Sequence, residues 1–297
     1  MKKKKTSRKK KKFSKKLLLI PFFFLFVLFS FSAFARWQFS EIVESRKTDM
    51  AKLPKGVKAV LSASSSAAFR VPILMYHYIE YVKDKNDTIR QSLTISPRVF
   101  DLQIKTLKDD GYTFMTVSEL AIVLDGKREL PQKPILLTID DGHWDLYTDI
   151  LPILKKYHVK ATAYIISGLI GGSDFLSKEQ LEKVIQSGLV EIGAHTVHHV
   201  GLAYKLLPVA EYEVKTSKKQ LEETYQIPVV SFAYPGGSFD VQAENVVKEA
   251  GFSLALSTIP GIKQSQENRF FLYRIRPGYR TGKDLLTYLQ QDRFRPW

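Results

Sequence analysis

Two pairs of side chains in this sequence have types and spacings that could support chemistry. Asp140 and Asp141 stand side by side after the apolar run LLTI, and the segment GAHTVHH places His195 and His199 four residues apart. Adjacent carboxylates repel each other unless a nearby cation offsets the repulsion. If the histidine segment forms one helical turn, both imidazoles lie on one face, which suits two ligands of one divalent metal.

A third ligand would turn the histidine pair into a catalytic type of metal site. Asp141, at a distant strand end, would complete a set of two histidines and one aspartate and leave one coordination position open for water. The chain has no cysteine, which excludes thiolate chemistry and cysteine-ligated zinc. A surface or capping histidine cluster is the alternative interpretation. His198 adds an ambiguity, because its spacing from His195 would also share the helical face.

Strand and helix patterns alternate from Val71 onward. The apolar run PILLTI is typical of a buried parallel strand, and Ser96 followed by Pro97 is typical of a helix start. The predicted strands cover residues 71–76, 134–139, 161–167, 189–194, 229–234 and 252–258, and the predicted helices cover 96–112, 177–188, 209–225 and 241–251. This alternation indicates a parallel β/α architecture, either a barrel or an open sheet. Asp140, Asp141 and His195 then lie at carboxyl ends of strands, where chemistry collects in a barrel.

A basic segment and then an apolar segment precede these elements. Residues 1–16 form a lysine-rich tail, and residues 17–35 contain no charged residue. The segment 17–36 is predicted to be a transmembrane anchor, or a signal peptide cleaved after Ala35. The lysines favour a cytoplasmic tail, so we expect a cell-membrane protein with an extracellular domain, or a secreted protein if the leader is cleaved. Residues 37–70 are predicted to be a linker and residues 71–297 the folded domain.

The high net charge of the chain is confined to its N-terminus. The formal charge is +15, but twelve Lys or Arg and no acidic residue lie in residues 1–36. The remaining sequence holds 33 basic and 30 acidic residues, a net charge of +3. The domain therefore lacks the basic surface of a nucleic-acid-binding protein, and we expect no nucleic-acid partner.

Two motifs in this order resemble the polysaccharide deacetylases, the NodB homology domain of carbohydrate esterase family four. TIDDG (138–142) is similar to the family's T-F-D-D-G, and HTVHH (195–199) is similar to its H-[ST]-x-x-H. The resemblance covers residues 71–280 and is strongest toward the subgroup that contains the poly-N-acetylglucosamine deacetylases. It implies an irregular (β/α) barrel with fewer than eight strands, and metal-assisted hydrolysis of an acetyl group on a sugar polymer.

The resemblance also implies roles for the two motifs. Asp141, His195 and His199 would bind a divalent metal, for which Zn²⁺ is the expected ion. Asp140 would remain unligated and act as the general base. The expected substrate is an acetylated polysaccharide.

The sequence departs from the family pattern at two other motifs. No histidine follows His199, so the proton donor is assigned to His77, in a stretch (VPILMYHYI) that resembles the subgroup's first motif. FAYPGG (232–237) has alanine where much of the family has arginine, and Arg274 is predicted to orient Asp140 instead. Gly236 falls where the oxyanion-hole N–H would come from, and Tyr234 is expected to line the sugar groove. His77 as a core residue, Arg274 as a surface residue and Gly236 as part of a simple turn are the alternatives.

The substrate expected from the resemblance is an N-acetylated amino-sugar unit of a cell-envelope glycan, of the peptidoglycan or poly-N-acetylglucosamine type. An O-acetyl esterase acting on xylan is one alternative. A non-catalytic, membrane-tethered glycan-binding protein on the same barrel is another. His143, after the aspartate pair, is interpreted either as a sugar contact or as a solvent-exposed residue.

Overall fold

A computed structural model describes residues 68–82, 84 and 86–295. They fall in one structural unit, Ser65–Trp297. The predicted basic tail, the predicted membrane or signal segment and most of the predicted linker lie outside the described residues. Within the described part of the chain, no helix is long and apolar enough to cross a membrane.

Parallel strands form the centre of the molecule. The strands are β1 (Phe69–Arg70), β2 (Ile73–Tyr76), β3 (Tyr78–Ile79), β4 (Thr94–Ile95), β5 (Thr113–Met115), β6 (Pro134–Ile139), β7 (Ala161–Ile165), β8 (Val190–Ala194), β9 (Ser231–Ala233), β10 (Leu254–Pro260), β11 (Lys263–Gln264) and β12 (Leu272–Arg274). The main sheet has the order β12-β10-β9-β8-β7-β6-β2, and β5 pairs with β6 on the β7 side. Every pairing in this sheet is parallel.

The two ends of this sheet meet, so that the sheet curls into a barrel. Met75 N donates to Ile275 O and Ile275 N donates to Ile73 O, both over 2.9 Å, beside β12. The ring is irregular, because β8 and β9 share only the pair Ala194–Phe232 and the register of β10 against β12 shifts. The structure therefore confirms the predicted irregular (β/α) barrel and excludes the open sheet.

Helices surround the barrel and begin at the signals the sequence provides. They are α1 (Thr88–Leu93), α2 (Pro97–Asp109), α3 (Val117–Leu124), α4 (Leu151–Tyr157), α5 (Lys178–Gln186), α6 (Leu207–Tyr225), α7 (Val241–Glu249) and α8 (Gly282–Leu289). Ser96 caps α2, since its hydroxyl accepts from Val99 N over 3.3 Å. Ser177 and Gln180 form a reciprocal capping box at α5, which satisfies two N–H groups of that helix terminus.

Most predicted elements are confirmed to within a few residues, and β6 has the predicted bounds. The helix predicted for 96–112 ends at Asp109, because Gly111 adopts a left-handed φ of 79°. The elements that were not predicted are β1, β3, β4, β5, β11, α1, α3 and α8. Packing between strands and helices builds one large buried cluster and a smaller one, to which β2 and β6 both contribute.

Polar side chains also fill the barrel interior beneath the carboxyl ends of its strands. Tyr164, Arg274 and Thr138 are fully buried. The guanidinium carbon of Arg274 lies 6.0 Å from the ring centroid of Tyr164, and Tyr164 shares a hydrogen bond of 3.1 Å with the Ser231 hydroxyl. Gly193 leaves room for this ring, since a Cβ there would lie only 2.3 Å from Tyr164 Cε1. The barrel interior therefore encloses the guanidinium group of Arg274 beneath the carboxyl ends of the strands.

Candidate active site

The carboxyl ends of the barrel strands bring the predicted site residues to one face of the barrel. His77 follows β2, Asp140 and Asp141 follow β6, His195 follows β8, and Arg274 is the last residue of β12. All these strands run parallel, so their ends share one edge although the residues are far apart in sequence.

Asp141, His195 and His199 form a cluster that could hold a metal ion. One ligand atom from each of the three residues lies within 4.8 Å of the other two. Asp141 Oδ1 is 3.3 Å from His195 Nε2 and 3.2 Å from His199 Nε2. Asp141 and His195 are buried, whereas the side chain of His199 is 43% exposed. The cluster is therefore open to solvent on the His199 side.

The tautomer of His195 shows that this donor set fits a cation. His195 Nδ1 lies 2.7 Å from the carbonyl oxygen of Ala233, which can only accept, so Nδ1 carries the proton. In a neutral imidazole Nε2 then presents a lone pair to Asp141 Oδ1, which is itself buried without a hydrogen-bond partner among the described residues. Two acceptors that face each other in this way are stabilised by a metal between them, and the carbonyl behind the imidazole is the usual outer support of such a ligand.

The segment that carries the two histidines is a loop, so the predicted helical turn is wrong. Residues 195–200 contain no helix, and Thr196 and His199 adopt left-handed φ angles of 64° and 56°. These two reversals of the backbone turn both imidazoles toward Asp141. Glu213 of α6, which sequence reasoning missed, accepts hydrogen bonds from the intervening N–H groups of Val197 and His198.

Asp141 sits in a strained turn at the end of β6. Its φ is 77°, and the following Gly142 has a φ of 79°. A Cβ on Gly142 would lie 2.9 Å from Ile165 Cδ1, so the turn needs glycine for two reasons. The carboxylate of Asp141 is buried, and the imidazoles of His143, His195 and His199 all lie within 3.4 Å of its oxygens.

Asp140 has a different partner from its neighbour. Arg274 Nη1 donates to Asp140 Oδ1 over 2.7 Å and Arg274 Nη2 donates to Asp140 Oδ2 over 2.8 Å. Both residues are buried, and the arginine also donates to Ser257 O and Thr138 Oγ1. Burial would raise the pKa of Asp140, but the charge and hydrogen bonds of Arg274, together with the nearby imidazoles of His195 and His77, outweigh burial, so the net pKa is lower than usual.

His77 approaches Asp140 from the end of β2. Its Nε2 is 4.0 Å from Asp140 Oδ2, and its side chain is 13% exposed. Burial lowers the pKa of His77 to about 4, although the charges of Asp140 and Asp141 act in the opposite direction. His77, Arg276 and Tyr279 line a cavity of about 60 Å³ that opens beside the site.

The turn after β9 contains the two residues predicted to contact substrate. Gly236 is exposed with a φ of 59°, and the next two N–H groups, of Gly237 and Ser238, are used by bonds within the turn. Tyr234 is fully buried, its hydroxyl donates to Phe270 O over 3.1 Å, and its ring stacks on Phe239. The expectation that the Tyr234 side chain lines the sugar groove is wrong, because this ring packs into the core.

His143 is neither solvent-exposed nor placed as a free sugar contact. It is 5% exposed and stacked between Tyr78 and Phe175, with ring centroids 4.1 Å and 4.8 Å away. Its Nδ1 lies 3.1 Å from Asp174 O, and its Nε2 lies 3.4 Å from Asp141 Oδ2. Sequence reasoning missed this packing, because no local pattern indicates which aromatic side chains enclose the residue.

At the carboxyl ends of a parallel β/α barrel, one carboxylate thus faces two imidazoles and its neighbour is paired to arginine. Residues 127–255 match a family model described as polysaccharide deacetylase. The provisionally named polysaccharide deacetylase YxkH of Bacillus subtilis is 30% identical over 207 residues, which cover 70% of this chain and 71% of that protein. The chain belongs to the polysaccharide deacetylase family, whose N-deacetylase members are hydrolases of carbon–nitrogen bonds.

Two further relatives agree with this membership. The poly-beta-1,6-N-acetyl-D-glucosamine N-deacetylase of Staphylococcus aureus is 28% identical over 198 residues, which cover 62% of this chain and 68% of that protein. The structure of the Streptococcus pyogenes deacetylase PplD in complex with acetate superposes with a TM-score of 0.70 at 31% identity, covering 76% of this chain and all of that chain (100%).

The buried pair between Arg274 and Asp140 gives a prediction for stability. Arg274→Met should lower the free energy of unfolding by about 3–5 kcal/mol, because Asp140 would remain buried without its counter-charge. Urea unfolding monitored by circular dichroism measures this difference. Arg128→Met removes an exposed pair with Glu119 and serves as the control, with an expected loss below about 1 kcal/mol.

The loss of unfolding free energy caused by Arg274→Met should depend on pH. Because the folded-state pKa of Asp140 is lowered, its contribution to stability is present above the ordinary value of 3.8 and is lost as the pH falls through the folded-state pKa. The penalty of Arg274→Met should therefore shrink in acid. A penalty that stays constant or grows as the pH falls would contradict the pairing.

Proposed function

We propose that this protein is a metal-dependent deacetylase that hydrolyses N-acetyl groups on amino-sugar units of a cell-envelope polysaccharide. The observation that carries the proposal is the different environment of two adjacent carboxylates. Asp141 faces the Nε2 atoms of two imidazoles, whereas Asp140 is held by the two-pronged contact of Arg274. One carboxylate is thus suited to bind a metal and the other to accept a proton.

Asp141, His195 and His199 are the proposed metal ligands, and Zn²⁺ is the proposed ion. Two imidazole nitrogens and one carboxylate oxygen are a ligand set that Zn²⁺ prefers in catalytic sites. A divalent metal bound there would acidify a water molecule and polarise the acetyl carbonyl. The exposed side of His199 gives the acetyl group access to this position.

Asp140 is the proposed general base. Arg274 keeps its carboxylate ionised and fixes the orientation of both oxygens, so that Asp140 is ready to take a proton from the attacking water. Gly236 is the proposed donor to the oxyanion that forms on the acetyl carbonyl, because this exposed residue belongs to a turn whose next two N–H groups are already used.

His77 is the proposed proton donor to the leaving amine. With a pKa of about 4 its imidazole is neutral at neutral pH, so the proton it donates must reach it during turnover. Asp140 Oδ2, 4.0 Å away, is the group that has just accepted a proton from water. Transfer from Asp140 to His77 and then to the amine nitrogen would deliver the proton where the carbon–nitrogen bond breaks.

The substrate part of the proposal is supported by the relatives. The S. aureus protein is named for the deacetylation of poly-beta-1,6-N-acetyl-D-glucosamine, which favours an N-acetylated amino sugar over an O-acetylated xylan. The uncharged segment 17–35 behind a lysine-rich tail supports a domain held at the outer face of the cell membrane, or released there if the leader is cleaved. Such a domain would reach the glycans of its own envelope.

Substitutions of the neighbouring residues His198 and His199 test the proposed metal ligands. His199→Ala should lose most of the bound metal, because one of three ligands is removed, whereas His198→Ala should retain it, because His198 points to Glu213 instead. Elemental analysis of the purified full-length proteins measures metal per chain. Equal metal content in both variants would contradict the assignment.

Separate substitutions of Asp140 and Asp141 distinguish the proposed base from the proposed metal ligand and test the deacetylase activity. Acetate release and free amine should appear when the full-length protein meets a β-1,6-linked N-acetylglucosamine oligomer. Asp140→Asn should lower this rate by about 10²- to 10⁴-fold and keep the metal, because only the proton acceptor is lost. Asp141→Asn should lose the metal.

Two outcomes would overturn these assignments. Metal loss in Asp140→Asn together with metal retention in Asp141→Asn would reverse the roles of the two carboxylates. Acetate release from acetylated xylan, without release from the amino-sugar oligomer, would favour the O-acetyl esterase.

The role of His77 is tested by changing the leaving group. An amine needs a proton to depart, so His77→Ala should lower the hydrolysis of the N-acetyl oligomer by about 10²- to 10⁴-fold. An activated aryl acetate, whose leaving group departs without a proton, should be hydrolysed at a rate much closer to that of the unsubstituted protein. Equal losses on both substrates would make His77 a structural residue.

A further inference from the structure

We infer that Glu213 is a positioning residue that holds the loop between the two proposed histidine ligands in its metal-binding shape. Glu213 belongs to α6 and does not touch the proposed metal position itself. The inference rests on the proposed metal set of Asp141, His195 and His199, and it assigns a task to a buried carboxylate that the proposed reaction does not use.

The carboxylate of Glu213 is directed wholly at this loop. Its Oε2 accepts from Val197 N over 2.9 Å and from His198 N over 3.0 Å. Its Oε1 lies 2.7 Å from His198 Nδ1. The residue is only 4% exposed, so these contacts replace the water that a carboxylate would otherwise require.

The loop needs an external support because its backbone is strained. Thr196 and His199 hold left-handed φ angles without being glycine, and such conformations persist only where the surroundings impose them. The carbonyl groups of Thr196 and Val197 accept from Ser167 N and Gly168 N over 3.1 Å and 3.0 Å. Glu213 supports the same loop through its N–H groups, because the carboxylate accepts the hydrogen bonds of Val197 N and His198 N.

α6 can transmit this support from the core. Ala210, Val214 and Leu221 lie on its buried face and belong to the main hydrophobic cluster of the barrel. Glu213 lies between Ala210 and Val214 on this helix, so the packing of α6 against the core restricts its movement. The distance between His195 at the strand end and His199 at the far end of the loop is consequently set by the packing of α6.

Loss of the Glu213 carboxylate should weaken metal binding more than it weakens the fold. The two N–H groups would be left unpaired, and the loop would relax away from the left-handed conformations that bring His199 Nε2 to Asp141. Removal of outer supports of metal ligands commonly lowers affinity by about 10- to 100-fold. We expect a loss of this size for Glu213→Ala and a smaller loss for Glu213→Gln, which retains one acceptor oxygen.

Two control variants separate positioning from general stability. Glu191 is a half-buried carboxylate that also accepts backbone and side-chain hydrogen bonds, in its case from Ser118 at the start of α3. Glu191→Ala should lower the thermal midpoint and leave metal affinity unchanged. His198→Ala removes the side-chain contact but keeps both backbone bonds, so it should retain near-normal affinity.

The experiment is a zinc competition titration of each full-length variant against a chromophoric chelator, with a thermal melt of the same samples. A zinc dissociation constant raised at least tenfold in Glu213→Ala, but not in Glu191→Ala or His198→Ala, is the expected result. An unchanged constant in Glu213→Ala, or equal losses in Glu213→Ala and Glu191→Ala, would overturn the inference. Failure of the unsubstituted protein to bind zinc would instead overturn the proposed function.

Discussion

Asp140 and Asp141 are adjacent, buried carboxylates, and the compensation of their mutual repulsion is the constraint on which the site depends. Two like charges about 4 Å apart repel by about 4 kcal/mol at the effective dielectric constant of a protein surface. Arg274 compensates the charge of Asp140 with two hydrogen bonds from inside the barrel. The other charge faces two imidazoles, one of which is tied to a backbone carbonyl so that its lone pair points inward. Arg274 relieves the repulsion at Asp140, and the divalent cation proposed for Asp141, His195 and His199 would relieve it at the other carboxylate.

The backbone of the barrel makes this division possible. β6 ends at Ile139, and the chain then enters a left-handed conformation at Asp141 and Gly142. Asp140 is therefore still aligned with the barrel interior, where the guanidinium of Arg274 lies, whereas Asp141 turns toward the loop that follows β8. A regular continuation of the strand would place the two side chains on opposite faces of the sheet. The reversal keeps both within reach of one reacting group.

Much of this arrangement could be predicted from local patterns, and the failures have physical reasons. The run PILLTI predicted β6 with its observed bounds, because a continuous apolar strand between a proline and an aspartate has few alternatives. The side chains of His195 and His199 both approach Asp141, as expected, but the helical turn on which that expectation rested is absent. Their spacing suits a helix, but the structure reaches the same result through left-handed residues that no local signal marks. The capping pattern of Thr116 and Glu119 was present in the sequence and would have located α3. The inward direction of Glu213 and Tyr234 depends on tertiary packing, which neighbouring residues do not encode.

The closure of the barrel also has a consequence for the order of events during synthesis. β2, which leads into His77, bonds to the segment that follows Arg274, and Arg274 reaches Asp140 across 134 positions of the chain. A nascent chain emerges from its N-terminus, so β2 and β6 must wait for the last strand before the ring can close and the buried carboxylate can find its cation. The proposed proton-transfer half of the site therefore depends on β12, which follows the strands leading to His77 and Asp140 in the chain. A chain that stops before β12 would lack Arg274, and the proposed base Asp140 would then be buried without the contact that orients it, even if His195 and His199 were in place.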